Sequence, residues 1–406
     1  MRQCLARDLR PILEGLLNDA AAAAATLPPS GQKRHAGRKR TIETLFGEVT
    51  YRRDYFYDPA TGKGRFPFDQ QLGLVGGSYT APLAKILTRA AAQTGFAAAS
   101  ADLRAYADLE IDARQIHRLV KTLGAPAQAW LRRAADRAVP TAPIPVFYIE
   151  ADGTGVPMRP AALAGRKGRQ PDGTAKTREV KVGCCFTQHT ADKATGLPWR
   201  DLGTTSYVAS LEPVEAFGAC LGQEAVRRGV GHASRQVFLS DGAAWAAGIA
   251  RTQFPQALHI VDFYHASEHA HSLAQCLQPQ AATALLEQWK TLLLEQADGV
   301  IQLLAQARAQ LPVEPDRLAT AIQEIGYFEN NGAHMHYASY RKDHLFIGSG
   351  VIEAACKTVI GQRLKNSGMF WSEPGATHIL AFRCALESNR FDQLWRGLAP
   401  PLPSAA

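Results

Sequence analysis

A chain of 406 residues with 46% apolar and 20% charged residues has material for roughly two or three domains and a substantial core. No stretch approaches the roughly 18 uninterrupted apolar residues of a membrane span, and Arg2, Arg7, Asp8 and Arg10 break any secretory leader pattern, so a cytoplasmic protein is expected. The net charge of +8 is confined: residues 1–140 hold 21 Lys and Arg against 13 Asp and Glu, and residues 141–406 hold 24 against 24, which points to an acidic polymer, nucleic acid first, as partner of the first third.

Residues 1–40 read as a helical or disordered arm. It ends in the basic run KRHAGRKR at 33–40, whose like charges repel; Lys33, Arg34, Arg38, Lys39 and Arg40 are expected to lie along phosphates. Residues 41–140 form the expected DNA-binding region. TIETLFGEVTYRRDYFYD, 41–58, predicts a short hairpin with Arg52 and Arg53 at its centre. Residues 79–123 predict three short helices broken at TGF and LEID, with Asp112 as N-cap of the last. Arg114, His117, Arg118 and Lys121 recur at helical spacing on that helix, as in a helix-turn-helix with a basic recognition helix.

Pro140, Pro143 and Pro145 mark a boundary. Beyond it strands alternate with helices: VFYIEAD (146–152), REVKVGCCFTQ (178–188), TSYVASL, QVFLSDGAAW (236–245) and ALHIVDFYH (257–265) predict a mixed α/β sheet. The basic loop GRKGRQPDGTAK joins the first two and offers Arg166, Lys167 and Arg169 to DNA. Residues 266–345 read as a helical insertion, after which 346–396 return to the 141–265 core. The strands ending at Asp152 and Asp241 each put an acid before glycine, and Glu353 sits on a helix in GSGVIEAACK; strand ends of open α/β sheets are where active sites lie. Three carboxylates without Cys or His companions make an all-oxygen site suited to Mg2+ or Mn2+, and two such ions serve phosphodiester chemistry. Lys357, Arg363 and Lys365 follow on the same helix as phosphate contacts, and Trp371 is expected as a platform for a flipped base, whereas Trp245 reads as core. Seven cysteines without regular spacing form neither a disulfide framework nor a CxxC pair; in a strand, adjacent Cys184 and Cys185 point to opposite faces, and zinc is not expected.

DGTGVPM, GRKGRQPDGTAKTREVKVGCCFTQ, SDGAAW, IVDFYHASEH, LFIGSGVIEAACKTVIGQRLK and SGMFW together resemble bacterial transposases of the insertion-sequence Kra-four family, related to Mutator-like enzymes. The resemblance runs from about 40 to 396. It implies a ribonuclease-H-like catalytic core behind a small basic helix-turn-helix-like domain, with Asp152, Asp241 and Glu353 as catalytic triad and Asp262 and His265 as the family's Asp-x-x-His element. It also implies two Mg2+ or Mn2+ ions per site, double-stranded DNA partners (terminal inverted repeats and target), a homodimer or larger assembly on DNA, and a place at the bacterial nucleoid. The cysteine-rich segment of many relatives is missing from YFYDPATGKGRFP. Two alternatives are a domesticated, inactive DNA-binding protein and an actin- or sugar-kinase-like phosphotransferase; the latter needs a second Asp-Gly-rich phosphate loop, which this chain lacks.

Overall fold

The computed structural model describes residues 2–24, 30–133, 142–168, 170 and 173–399. No helix among them is long and apolar enough to cross a membrane. The chain divides into two compact units, Met1–Arg133 with Ser372–Ala406, and Ala134–Trp371.

In the first unit the strands β1 (Lys33–Thr44), β2 (Gly47–Asp58) and β3 (Lys63–Arg65) form an antiparallel sheet in that order. The hairpin is longer than expected, because the basic run belongs to β1 rather than to a free arm. Pairing with β2 gives it a backbone partner along its length and one counter-ion, Asp54. Arg34 meets Asp54 at 2.6 Å, the Gly37 N–H donates to the other Asp54 oxygen, and Arg53, 6% exposed, pairs with Asp69 while donating to the Arg38 and Lys39 carbonyls. The helix Arg2–Ala23 covers this sheet, packing Ala21, Leu13 and Leu17 on Ile42, Val49 and Tyr51. The helices Ala81–Gln93, Phe96–Ala107 and Ala113–Leu131 follow, broken at the expected places. The carboxy-terminal helices Glu373–Glu387 and Phe391–Leu398 also belong here, a correction to the expectation that 346–396 all return to the sheet core. The reason is packing: Gly124 leaves room for the His378 ring, and buried Arg383 donates to the Ala92 carbonyl.

The second unit is a mixed α/β body built on five strands, β4 (Ile144–Pro157), β5 (Thr177–Gln188), β8 (Ser206–Ser210), β9 (Ala233–Ser240) and β10 (Leu258–Val261), with a minor hairpin β6 (Thr190–Ala191) and β7 (Pro198–Trp199). Their order is β10-β9-β4-β5-β8; β4, β5 and β8 are antiparallel in turn, and β9 and β10 run parallel to β4. Side chains alternate across β4. Phe147, Ile149 and Ala151 join Phe217, Leu221 and Ile249 of the helices Val214–Arg227 and Ala244–Gln253 in one core, leaving Tyr148, Glu150 and Asp152 for the other face. Cys184 and Cys185 divide in the same way, the first beside Glu150 and the second in that core. Helices Phe263–Leu277, Ala282–Glu295, Gly299–Arg308, Pro315–Asn331 and Tyr337–Lys342 fill the segment between β10 and Gly350.

Candidate active site

Asp152 is not at the end of its strand, as the sequence suggested: β4 runs on to Pro157 because β5 stays paired with it through Pro157. What ends beside Asp152 is the neighbouring strand. The last β4–β9 pair is Ala151 with Ser240, so Asp152 and Asp241 follow one another directly on adjacent parallel strands. Asp152 Oδ1 accepts from the Gly153 N–H at 2.6 Å, and Asp241 Oδ1 accepts from the Ala243 N–H at 2.9 Å as β9 turns at Gly242, φ 87°. Burial raises the Asp152 carboxyl above its ordinary range, hydrogen bonds from Gly153 and Cys356 oppose this, the Asp241 charge adds to it and His265 counters.

Glu353 lies in the short helix Gly350–Ala355, which continues as a π-helical turn, Cys356–Gly361. Such turns recur at functional sites because they shift side chains out of α-helical register. Here Cys356 Sγ reaches Asp152 Oδ2 at 3.3 Å, and burial with the Asp152 charge pushes its thiol up, so it stays a donor. Glu353 itself is exposed, near Ser349 Oγ at 3.5 Å, and is not paired with Lys357. Asp152 and Asp241 are thus brought together, with Glu353 on the adjoining helix; among the described residues no three His, Cys, Asp or Glu side chains stand close enough to share one ion. Asp152 and Asp241 present carboxylate oxygens, the donor type that hard divalent cations take, and the Asp241 charge helps to raise Asp152.

Two further acids beside this site are buried: Glu150, which the sequence reading missed, and Asp262, which the resemblance had named. Glu150, fully buried two residues before Asp152, accepts from the Ile352 N–H at 2.8 Å through Oε2, and desolvation raises its pKa to about 8. Asp262, 1% exposed, accepts from the His265 N–H at 2.6 Å and with its other oxygen from the Ser349 N–H. It caps a helix rather than ending a strand, because β10 stops at Val261. His265 is half-buried, 3.5 Å from Glu268 and with its ring 5.0 Å from that of His269. The helical insertion also reaches the acids. The Tyr327 hydroxyl donates to the Asp241 carbonyl at 3.1 Å, its ring stacks on His269 at 3.6 Å, and His269 meets Glu324 at 2.5 Å. Burial and the Asp241 charge raise the Tyr327 hydroxyl, keeping it a donor.

A model of an uncharacterised protein family, UPF0236, matches residues 33–170. The match covers the basic hairpin, the three helices and β4 with Asp152, and no curated protein matches the chain.

Some predicted phosphate contacts are where a ligand could reach them and others are not. Lys33, Arg34, Arg38 and Lys39 are exposed on β1; Arg40 is half-buried and donates to the Gly77 carbonyl. Arg114, His117, Arg118 and Lys121 are exposed along the helix Ala113–Leu131, whose Asp112 cap closes a full capping box with Gln115. Arg166, Lys167 and Lys357 are exposed, while Arg169 and the boundary residue Pro140 lie outside the described residues. Lys365 is exposed with its Nζ bonded to Thr154 Oγ1. Arg363 is completely buried, its guanidinium 5.1 Å from the Trp371 ring, which removes it as a phosphate contact. Trp371 is likewise no platform: it is 9% exposed, its indole N–H donates to the Leu364 carbonyl at 3.0 Å, and its backbone brackets the end of β4 through Pro157 and Arg159. The exposed aromatic is its neighbour Phe370, at 61%. Trp245 packs against Phe217 in the core.

Proposed function

We propose that this protein is a DNA-strand transferase of the DDE type, a transposase similar to the insertion-sequence Kra-four family, with a ribonuclease-H-like catalytic core. The observation that carries this reading is the register of β4 and β9, which sets Asp152 and Asp241 side by side with the Glu353 helix fastened beside them. The sheet order, three antiparallel strands followed by two parallel to the first, supports the fold assignment. The exposed cations of β1 and of the helix Ala113–Leu131 support duplex DNA as partner, through a helix-turn-helix-like element.

In this reading Asp152, Asp241 and Glu353 would hold Mg2+ or Mn2+, which when bound would activate a water or 3' hydroxyl and stabilise the leaving oxygen. The Ala243 N–H orients the Asp241 carboxylate while Tyr327 holds its backbone carbonyl, Gly153 and Cys356 orient Asp152, and His265 lies near enough to act on the Asp152 charge. Lys357, Arg166 and Lys167 face solvent, where phosphates can meet them. Two element ends must be held at once, so a homodimer or larger assembly on DNA follows.

The test is nicking and strand joining of labelled DNA bearing the sequences that flank this reading frame, with Mg2+, Mn2+, Zn2+ or EDTA. Cleavage with Mg2+ or Mn2+, lost in EDTA and in Asp241→Asn, supports the reading; cleavage that survives EDTA or Asp241→Asn overturns it.

A further inference from the structure

Glu150 is an expensive residue in its place. It is wholly buried in the central strand, two positions from another acid on the same face, and its Oε1 has no hydrogen-bond partner among the described residues. An apolar side chain would pack there at lower cost. What an apolar side chain could not do is accept a hydrogen bond from a helix start. The opening N–H groups of a helix lack intrahelical partners, and in the helix Gly350–Ala355 two nearby ones are taken by buried carboxylates: Asp262 holds Ser349 and Glu150 holds Ile352. One turn further on, Cys356 is hooked to Asp152. Ile352 immediately precedes Glu353, so the Glu150 contact limits how far the helix can rotate or slide on β4.

We propose that Glu150 is a positioning residue for Glu353: by gripping the Ile352 N–H it fixes the height and rotation of the Glu353 carboxylate relative to Asp152 and Asp241. This inference rests on the reading of those three acids as a divalent-cation site. It assigns a task to Glu150 distinct from theirs, since its carboxyl is wholly buried and commits Oε2 to the helix backbone.

Three variants of the full chain test it. Glu150→Gln keeps an acceptor at the same reach, Glu150→Asp keeps the acid but draws it back, and Glu150→Met keeps the volume without an acceptor. The first readout is amide hydrogen exchange, which needs neither metal nor DNA. Exchange of a peptide spanning residues 349–356 should quicken about tenfold in Glu150→Met and Glu150→Asp, the scale of one missing buried hydrogen bond, and stay near wild type in Glu150→Gln, with β9 unaffected. The second readout is calorimetric titration with Mn2+ alone, where half-saturation should shift upward in Met and Asp but not in Gln. Wild-type exchange at 349–356 in both Met and Asp variants overturns the inference. If the Met variant loosens throughout, the Asp variant decides. Quickened exchange with an unmoved Mn2+ midpoint also overturns it, since the grip would then be structural only. A separate Glu353→Gln titration isolates the underlying reading: Mn2+ binding unchanged by that substitution removes Glu353 from the metal site and takes the positioning role with it, while the exchange result still reports whether Glu150 grips the helix.

Discussion

Arg114, Arg118 and Lys121 stand in solvent along one face of a capped helix in the first unit, whereas Glu150, Asp152 and Asp262 in the second are drawn inward and held by backbone N–H groups. The difference is one of cost. An exposed cation needs no partner, and a row of them gains its free energy only when a polyanion arrives and releases counter-ions. A buried carboxylate needs donors already in place, so its position is rigid before any ligand binds. A surface of the first kind suits recognition, and a cluster of the second kind suits chemistry that depends on fixed geometry.

The largest expected effect attacks the rigid side. Asp152→Asn, Asp241→Asn and Glu353→Gln should each lower metal-dependent cleavage by about a thousandfold or more while a gel shift on end DNA stays nearly unchanged, since each removes charge from the proposed ion site. A variant that cleaves like wild type removes that residue from the chemistry. Trp371→Ala comes next: a buried, hydrogen-bonded indole should cost about 3–5 kcal/mol of stability, and Phe370→Ala less than about 0.5. Melting curves decide, and a Trp371→Ala variant of unchanged melting temperature that fails only in cleavage would restore the base-platform role.

The exposed side predicts gentler, additive losses. Replacing Arg114, Arg118 and Lys121 by Ala should leave the melting temperature in place, weaken binding to any duplex, and flatten the slope of log affinity against log salt by about 0.9 for each phosphate no longer neutralised. An unchanged slope would take this helix away from DNA. The smallest effect concerns the pH dependence of the second unit. Burial, then the charge of His334, lowers His259 from 6.5 to about 4. The unfolded chain takes up the proton that the native His259 refuses, so its contribution is intact above pH 6.5 and lost as pH falls toward about 4. The melting temperature should decline over that window by a few degrees more in wild type than in His259→Asn, with His334, also lowered, supplying part of the residual slope. Parallel curves for the two proteins would show that the His259 environment is less dry than its burial implies.

Features set by neighbours in the chain were legible in the residues themselves. The three helices broken at TGF and LEID, the Asp112 cap, the exposed spacing of Arg114, His117, Arg118 and Lys121, and the five strands from 144 onward all follow from periodicity, capping and turn chemistry within a few positions. Tertiary structure alone decided the rest, because burial depends on what packs against a residue from far along the chain. KRHAGRKR reads as a self-repelling arm until the partner strand pairs its backbone and sets Asp54 against Arg34. Arg363 and Trp371 look like ligand contacts until each is found covering the other, and helix Glu373–Glu387 looks like sheet core until its room beside Gly124 is seen. Glu150 and Tyr327 carry no local signal: an acid inside a strand and a tyrosine on a helix acquire meaning only when the Ile352 N–H and the Asp241 carbonyl arrive within hydrogen-bonding distance from segments remote in sequence. Hydrogen bonds and desolvation act through space over a few ångströms, and only the folded chain says which groups share that space.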